Sequence, residues 1–284
     1  MTKTLEKETE AVDLEAQVNN SGSIIFDDCR NVFSKMADES IDLIVSDVPY
    51  KIMAGGVKVV ANGNEPKGIL RGRVAISDGT ECSNKWIKKN PLNTPCAVRA
   101  GKMFEHNEIR FEEFLPEMYR VLKQDTHCYL MINARNLKEL QQKAEDVGFK
   151  FQNLLIWNKG NATPNGYYMQ CCEFILMLKK GKSKPIKDMG TQTLLSVPNI
   201  IGQKAHPTEK PVGLLEILIK NSSNEGDLVL DPFAGSCSLA EACINTNRQY
   251  ICIEIDKQYY DLGKQRVDGK SYRPQKNQEQ VSLF

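Results

Sequence analysis

Short apolar runs that stop at an acid or a turn residue alternate with stretches of helical period along this 284-residue chain. The runs are Ser23-Ile-Ile-Phe26, Ile41-Asp-Leu-Ile-Val45, Tyr129–Asn133, Leu154–Trp157, Glu173–Leu178, Gly226-Asp-Leu-Val-Leu230 and Tyr250-Ile-Cys-Ile-Glu254. Each has the length and branched-residue content of a strand. Between them, helical spacing covers Asn31–Ala37, Phe111–Lys123 (with an internal Pro116), Leu137–Val147, Pro211–Lys220, Ser236–Asn245 and Tyr259–Val267. Gly148 follows the third of these as a C-cap, and Pro211 opens the fourth, where a missing N–H costs nothing. Strands alternating with helices predict a mostly parallel sheet covered on both faces. The segments 160–170 and 179–205 read as irregular, and from 51 to about 110 the period vanishes altogether. A gap of that length inside a compact domain points to a functional or disordered segment.

Composition adds boundaries. Residues 1–22 carry five acids against two lysines and read as a polar extension. Residues 23–268 form one α/β domain with 51–110 as an insertion, and 269–284 are a polar tail. A net charge of +1 excludes a polycation overall, and the nine cysteines include no C-x-x-C pair. That usage predicts a reduced, intracellular, cytoplasmic protein without a zinc site or other metal. No signal pattern opens the chain, and no apolar run reaches the length of a membrane span.

The most informative segment is Asp231-Pro-Phe-Ala-Gly-Ser236, where an apolar strand ends in a carboxylate and turns through small residues into a helix. Small residues let backbone approach a ligand, and the helix N-terminus supplies free N–H donors. A little over twenty residues later a second strand ends in Glu254. This is the nucleoside-binding spacing of a doubly wound sheet, with the second acid on ribose hydroxyls. The turn lacks Gly-x-Gly-x-x-Gly, so nothing cradles a pyrophosphate. A nicotinamide-dependent oxidoreductase is thereby disfavoured, and a nucleoside without phosphates, such as S-adenosylmethionine, fits.

Two further segments complete a constellation: Asp47-Val-Pro-Tyr50 after a strand, and His206-Pro-Thr-Glu-Lys-Pro211 before a helix. With all three in this order, residues 23–267 resemble the amino-methyltransferases of DNA, in the permuted order of that family's beta group. The resemblance implies a Rossmann-like methyltransferase fold, a seven-stranded mixed sheet with one antiparallel strand and helices on both faces. It implies methyl transfer from S-adenosylmethionine to adenine N6 of a flipped-out base at a specific DNA site, as in restriction–modification. It also carries an expectation of homodimers.

The chemistry explains the tetrapeptide. An exocyclic amine is a poor nucleophile because its lone pair is delocalised into the ring. In the family pattern the Asp47 carboxylate accepts one N–H and the carbonyl of Val48 the other, aiming the lone pair at the methyl group. Pro49 keeps residue 48 extended. Tyr50 stacks on the flipped base. Val48 departs from the usual proline, and Cys237 and Ser238 stand where glycine and threonine are common. Asp rather than Ser at position 47 resembles the adenine members. Cofactor contacts carried over are Asp28, His206, Thr208, Lys210, Asp231, Phe233, Ala234, Gly235, Ser236, Glu254 and Ile255. Transfer to cytosine N4, or a cofactor-holding DNA-binding protein without catalysis, stays open.

For DNA contact, residues 51–110 hold eleven Lys or Arg against five acids. Within them Lys85, Trp86, Lys88 and Lys89 interleave an aromatic with cations, as phosphate contacts beside a stacking group require. Tyr167 and Tyr168 are candidates for the other wall of the base pocket.

Overall fold

The structure, a computed structural model, describes residues 22–50, 109–163, 168–182, 184–200 and 209–269. The N-terminal extension, nearly all of the 51–110 insertion and the tail lie outside the described residues. So do Lys85, Trp86, Lys88, Lys89, Tyr167, His206 and Thr208.

In chain order the elements are β1 (Ser23–Phe26), α1 (Cys29–Phe33), β2 (Leu43–Asp47), α2 (Phe111–Val121), β3 (Thr126–Ile132), α3 (Leu137–Asp146) and β4 (Lys150–Thr163). They continue with β5 (Gln170–Lys180), β6 (Leu194–Ser196), α4 (Val212–Ser222), β7 (Leu228–Asp231), α5 (Ser238–Asn245), β8 (Gln249–Glu254) and α6 (Lys257–Val267). The strands form one eight-stranded sheet in the order β1-β8-β7-β2-β3-β5-β4-β6. All neighbours are parallel except β5, which runs antiparallel to both β3 and β4. The sheet is the expected mixed one with a single reversed strand, enlarged by β6.

That eighth strand was not legible. β6 has three residues, of which only Leu195 is buried, and it pairs with β4 at an edge. Residues 160–163 and Gln170 are also more regular than their composition suggests. β4 runs to Thr163 and pairs there with Gln170 at the start of β5. This part of the hairpin is largely exposed, so no apolar alternation marks it.

Side chains alternate across the strands into two cores. Ile25 and Ile44 face α1, α2 and α3, while Ile24, Leu43 and Val45 face α4, α5 and α6. Helix α2 shows why its residues form a helix: Phe111, Phe114, Leu115, Met118 and Val121 share one buried stripe. Pro116 lies inside this helix on its exposed side, where the carbonyl it cannot serve faces water. Each large side chain fully removed from water, such as Phe33 or Phe114, contributes about 1.5–3 kcal/mol. Gly148 ends α3 at φ 112°, where a Cβ would meet the Tyr119 ring at 2.9 Å. Among the described residues no helix is long and apolar enough to cross a membrane.

The connections place the site. From β7 the chain turns through α5 to β8 on one side; from β2 it proceeds to α2 and β3 on the other. β7 and β2 are parallel neighbours, and the order in which the chain adds strands reverses between them. The crevice outside the carboxyl ends of the strands at such a switch point is where doubly wound sheets bind ligands.

Candidate active site

Asp47 ends β2 and Asp231 ends the adjacent β7, and a cleft of about 1060 Å³ opens between and above them. That is at the upper end of the roughly 300–1,000 Å³ of an ordinary small-molecule site. Asp27 and Asp28 after β1, and Glu254 at the end of β8, bring further carboxylates to the same rim.

The turn after β7 is fixed from both sides. Asp231 Oδ1 accepts the Ser46 hydroxyl at 2.6 Å and the Phe233 N–H at 3.1 Å, which ties β2 to the turn. Glu254 accepts the Gly235 N–H at 2.7 Å and the Asp256 N–H at 2.8 Å. Ala234 N–H bonds the Ile253 carbonyl at 2.9 Å. Gly235 at φ 52° and Cys237 at φ 56° both adopt the left-handed region, and Cys237 caps α5 in that state. The Cys237 side chain fits because its neighbour is Gly263, where an added Cβ would lie 2.4 Å from the sulfur. Phe233 packs edge-on against Phe114 at 4.9 Å, Ala234 is nearly buried, and Ser236 is buried. Ile255 stays 38% exposed on the cleft wall, an apolar surface open to a flat ligand.

Burial pushes the Glu254 carboxyl up to about 7, against the pull of the Asp256 and Gly235 N–H donors. Burial raises Asp231 to about 7 as well, opposed by the Ser46 hydroxyl and the Phe233 N–H. A carboxyl with a raised pKa binds more protons folded than unfolded. Its contribution to stability is therefore fullest at low pH and is lost as pH rises from the unfolded value toward 7. Glu254→Gln cannot ionise. Without ligand it should gain stability relative to the starting protein as pH rises from about 5 to about 8. Thermal denaturation of both proteins across that range reads the difference, and a constant gap would contradict the raised value.

Around Asp47 the charges alternate. Lys210 places its ammonium directly on Asp47 Oδ2 and lies 3.7 Å from Glu173 Oε2. Lys159 pairs with Glu173 Oε1 at 2.9 Å. Burial works against the charge on Lys210, but the Asp47 and Glu173 carboxylates outweigh it and hold the ammonium above the usual lysine range. Burial pushes Asp47 up, Lys210 pulls it down, and Glu173 adds to the rise. The two shifts oppose each other across one contact. That contact is direct, and a buried lysine stripped of carboxylates is costly, so the ionised pair is the form at neutral pH.

Tyr50 is half-buried beside Asp47 and hydrogen-bonds Asn133; burial first, then the Asp47 charge, raises its hydroxyl. Val48 is buried in the first core, and both it and Pro49 line the cleft. A buried valine side chain supplies by packing some of the rigidity that a proline ring would give.

Residues 41–265 match the family model described as DNA methylase, N6_N4_Mtase. The chain belongs to this N6/N4 DNA methylase family. YubD of Escherichia coli (strain K12) is 34% identical over 247 residues, 84% of this chain and 87% of YubD. The type II methyltransferase M2.DpnII of Streptococcus pneumoniae is 26% identical over 276 residues, 89% and 91% of the two chains. In fold, the chain resembles M1.HpyAVI, solved as a complex with SAM, at a TM-score of 0.58 and 21% identity, covering 86% and 98% of the chains. It also resembles the cytosine-N4-specific PvuII DNA methyltransferase at 0.61 and 16%, covering 87% and 86%.

In this methylase the cleft brings together Asp28, Asp47, Val48, Pro49, Tyr50, Lys210, the 231–236 turn, Glu254 and Ile255. Tyr168 is 89% exposed and does not line it. The Asp28 carboxylate already caps α1 and takes both Nε and Nη2 of Arg30, at 3.0 and 2.6 Å, which holds its pKa low. Lys210, read from sequence as a cofactor contact, has its ammonium on Asp47. Sequence reading missed Glu173, Lys159, Ser46, Glu209 and Arg266. Of these only Glu209 carried a signal, since it sits inside the His206–Pro211 motif.

Proposed function

We propose that this methylase transfers a methyl group from S-adenosylmethionine to N6 of adenine at a specific DNA site. The observation that carries the reading is the placement of Asp47-Val-Pro-Tyr50 and the Asp231 turn side by side at the switch point, on one cleft. Its residues fit the cofactor. Glu254 is fixed by two backbone N–H groups and faces the cleft as the acceptor for ribose hydroxyls. Ile255 offers its apolar side to the adenine ring, Asp28 lies at the same rim, and the turn from Phe233 to Ser236 shapes the floor. His206, Thr208 and Lys210 are assigned to the methionine end. The bound cofactor supplies an electrophilic methyl on a sulfonium.

Asp47 accepts one N–H of the target amine and the Val48 carbonyl accepts the other. With both N–H bonds held, the nitrogen lone pair is aimed at the methyl group that the bound cofactor would supply, and the positive charge that would grow on nitrogen lies beside the Asp47 carboxylate. The surplus proton would pass to water afterwards, without need of a strong base. Tyr50 stacks on the base, which must leave the duplex to reach the cleft. DNA recognition is assigned to the basic 51–110 segment, with Lys85, Trp86, Lys88 and Lys89 on phosphates and Tyr167 near the base. Asp47, which resembles the adenine members, favours adenine over cytosine. The test is incubation with labelled S-adenosylmethionine and mixed-sequence DNA, followed by nucleoside digestion and mass spectrometry. N6-methyladenine is the expected product. N4-methylcytosine would overturn the base assignment, and no product above an Asp47→Ala control would overturn catalysis.

A further inference from the structure

The charges behind Asp47 form a chain that leads away from the cleft. Trp157 on β4 stands opposite Glu173 on β5, and Lys159, two residues further, shares their face. Met131 on β3 stands opposite both Asp47 and Ile175, so Glu173, two residues from Ile175, lies one pleat beyond it toward the carboxyl edge. Lys210 enters from the segment before α4, on the face where that helix packs. The sheet register and α4 therefore set the order Asp47, Lys210, Glu173, Lys159. Glu173 divides its two oxygens between two lysines: Oε1 to Lys159 at 2.9 Å and Oε2 toward Lys210 at 3.7 Å. Lys210 in turn occupies only Oδ2 of Asp47. Glu173 does not line the cleft.

Resting on the methyl-transfer reading above, we infer that Glu173 is a positioning residue for that reaction: it shares the Lys210 ammonium so that Asp47 is held with Oδ1 directed to the target amine and keeps its strength as an acceptor. Two consequences follow from the geometry. A lysine anchored by two carboxylates has less freedom than one anchored by Asp47 alone, and an acceptor displaced by about 1 Å can cost 10²-fold in rate. An ammonium drawn wholly onto Asp47 would also withdraw charge from the oxygen that must polarise the amine. Glu173 keeps part of that charge to itself, and Lys159 keeps Glu173 ionised in a partly buried place.

Among the described residues, the charged and titratable groups that face Asp47 are Lys210 before α4, Glu173 on β5, Lys159 on β4, Tyr50 after β2 and Asp231 on β7. Against that set, two neutralising variants act in opposite directions. Glu173→Gln removes a negative neighbour, favours ionised Asp47 and moves the acid limb of the kcat–pH profile down. Lys159→Gln removes a positive neighbour and moves it up. The experiment is steady-state methylation of DNA across pH for the full-length protein and both variants, with Glu173→Asp as the conservative control and cofactor affinity measured by calorimetry. Glu173→Gln should lose about tenfold or more in kcat, with cofactor Kd within about twofold, and Glu173→Asp should recover part of the loss. Limbs that stay in place or move in the same direction in the two glutamine variants would overturn the inference. So would an unchanged kcat in Glu173→Gln. If Glu173→Gln does not fold, an unmoved or downward limb in Lys159→Gln overturns it alone. A wild-type protein that methylates no DNA would instead refute the function on which it rests.

Discussion

Replacing Asp47 by alanine is expected to reduce methyl transfer to DNA by at least about 10²–10³-fold while leaving cofactor affinity within a factor of a few. A preorganised group aimed at charge that develops in the transition state is worth about that much when removed, roughly 3–4 kcal/mol of barrier. The proposed cofactor side rests mainly on other elements. Glu254 and the Gly235 turn are held by β8 and their own backbone bonds, none of which involves Asp47. The fold should survive because Glu173 remains to pair Lys210 when its other carboxylate is gone. The decisive comparison is single-turnover transfer against calorimetric binding. A parallel loss of both would mean that Asp47 organises the cofactor pocket rather than the amine, and a retained rate would remove it from the chemistry.

Much of this arrangement was written in local sequence, because its parts are local. The stop of an apolar run at Asp231, the small-residue turn and the acid ending the next strand each occupy one short segment. β1 was found at its observed bounds, and β7 and β8 end where their acids predict. The parts that were missed are those whose meaning comes from partners far along the chain. Glu173 read as the first residue of an ordinary strand, and nothing near it announces Lys210, which arrives from before α4. Lys210 sits in a motif that the resemblance assigns to the cofactor, and no local signal announces that its ammonium also reaches Asp47 across the switch point. Cys237 read as a mild departure from glycine. Its left-handed backbone and the space left by Gly263 show how the departure is tolerated.

Arg266 is the extreme case of such a hidden residue, and Arg266→Met is expected to destabilise the protein by about 3–5 kcal/mol. It lies near the end of α6, and nothing in that segment's sequence marks it. Its side chain is fully buried, as is that of Glu209, with which its Nη2 makes a direct ion pair. Nη1 donates to the Ser238 hydroxyl at 2.7 Å and lies 3.4 Å from Glu241; Nη2 also reaches Ser236 Oγ at 3.4 Å. One guanidinium thus joins the last helix, the segment that carries Lys210 and the turn that opens α5. Removing it leaves the Glu209 carboxylate buried without its guanidinium, which is where the penalty arises. In a domain of this size that amounts to a fall of roughly 10 °C in Tm. The paired variant Glu209→Leu with Arg266→Met replaces both charges by apolar groups of similar bulk and should recover most of the stability, a coupling that a double-mutant cycle measures directly. It does not restore the tie to Ser236 and Ser238. The recovered protein should therefore still bind S-adenosylmethionine more weakly than the starting protein, by about tenfold. A single variant within about 1 kcal/mol of the starting protein would show that the buried pair contributes little, and a recovered double variant with full affinity would show that the cofactor turn holds its shape without Arg266.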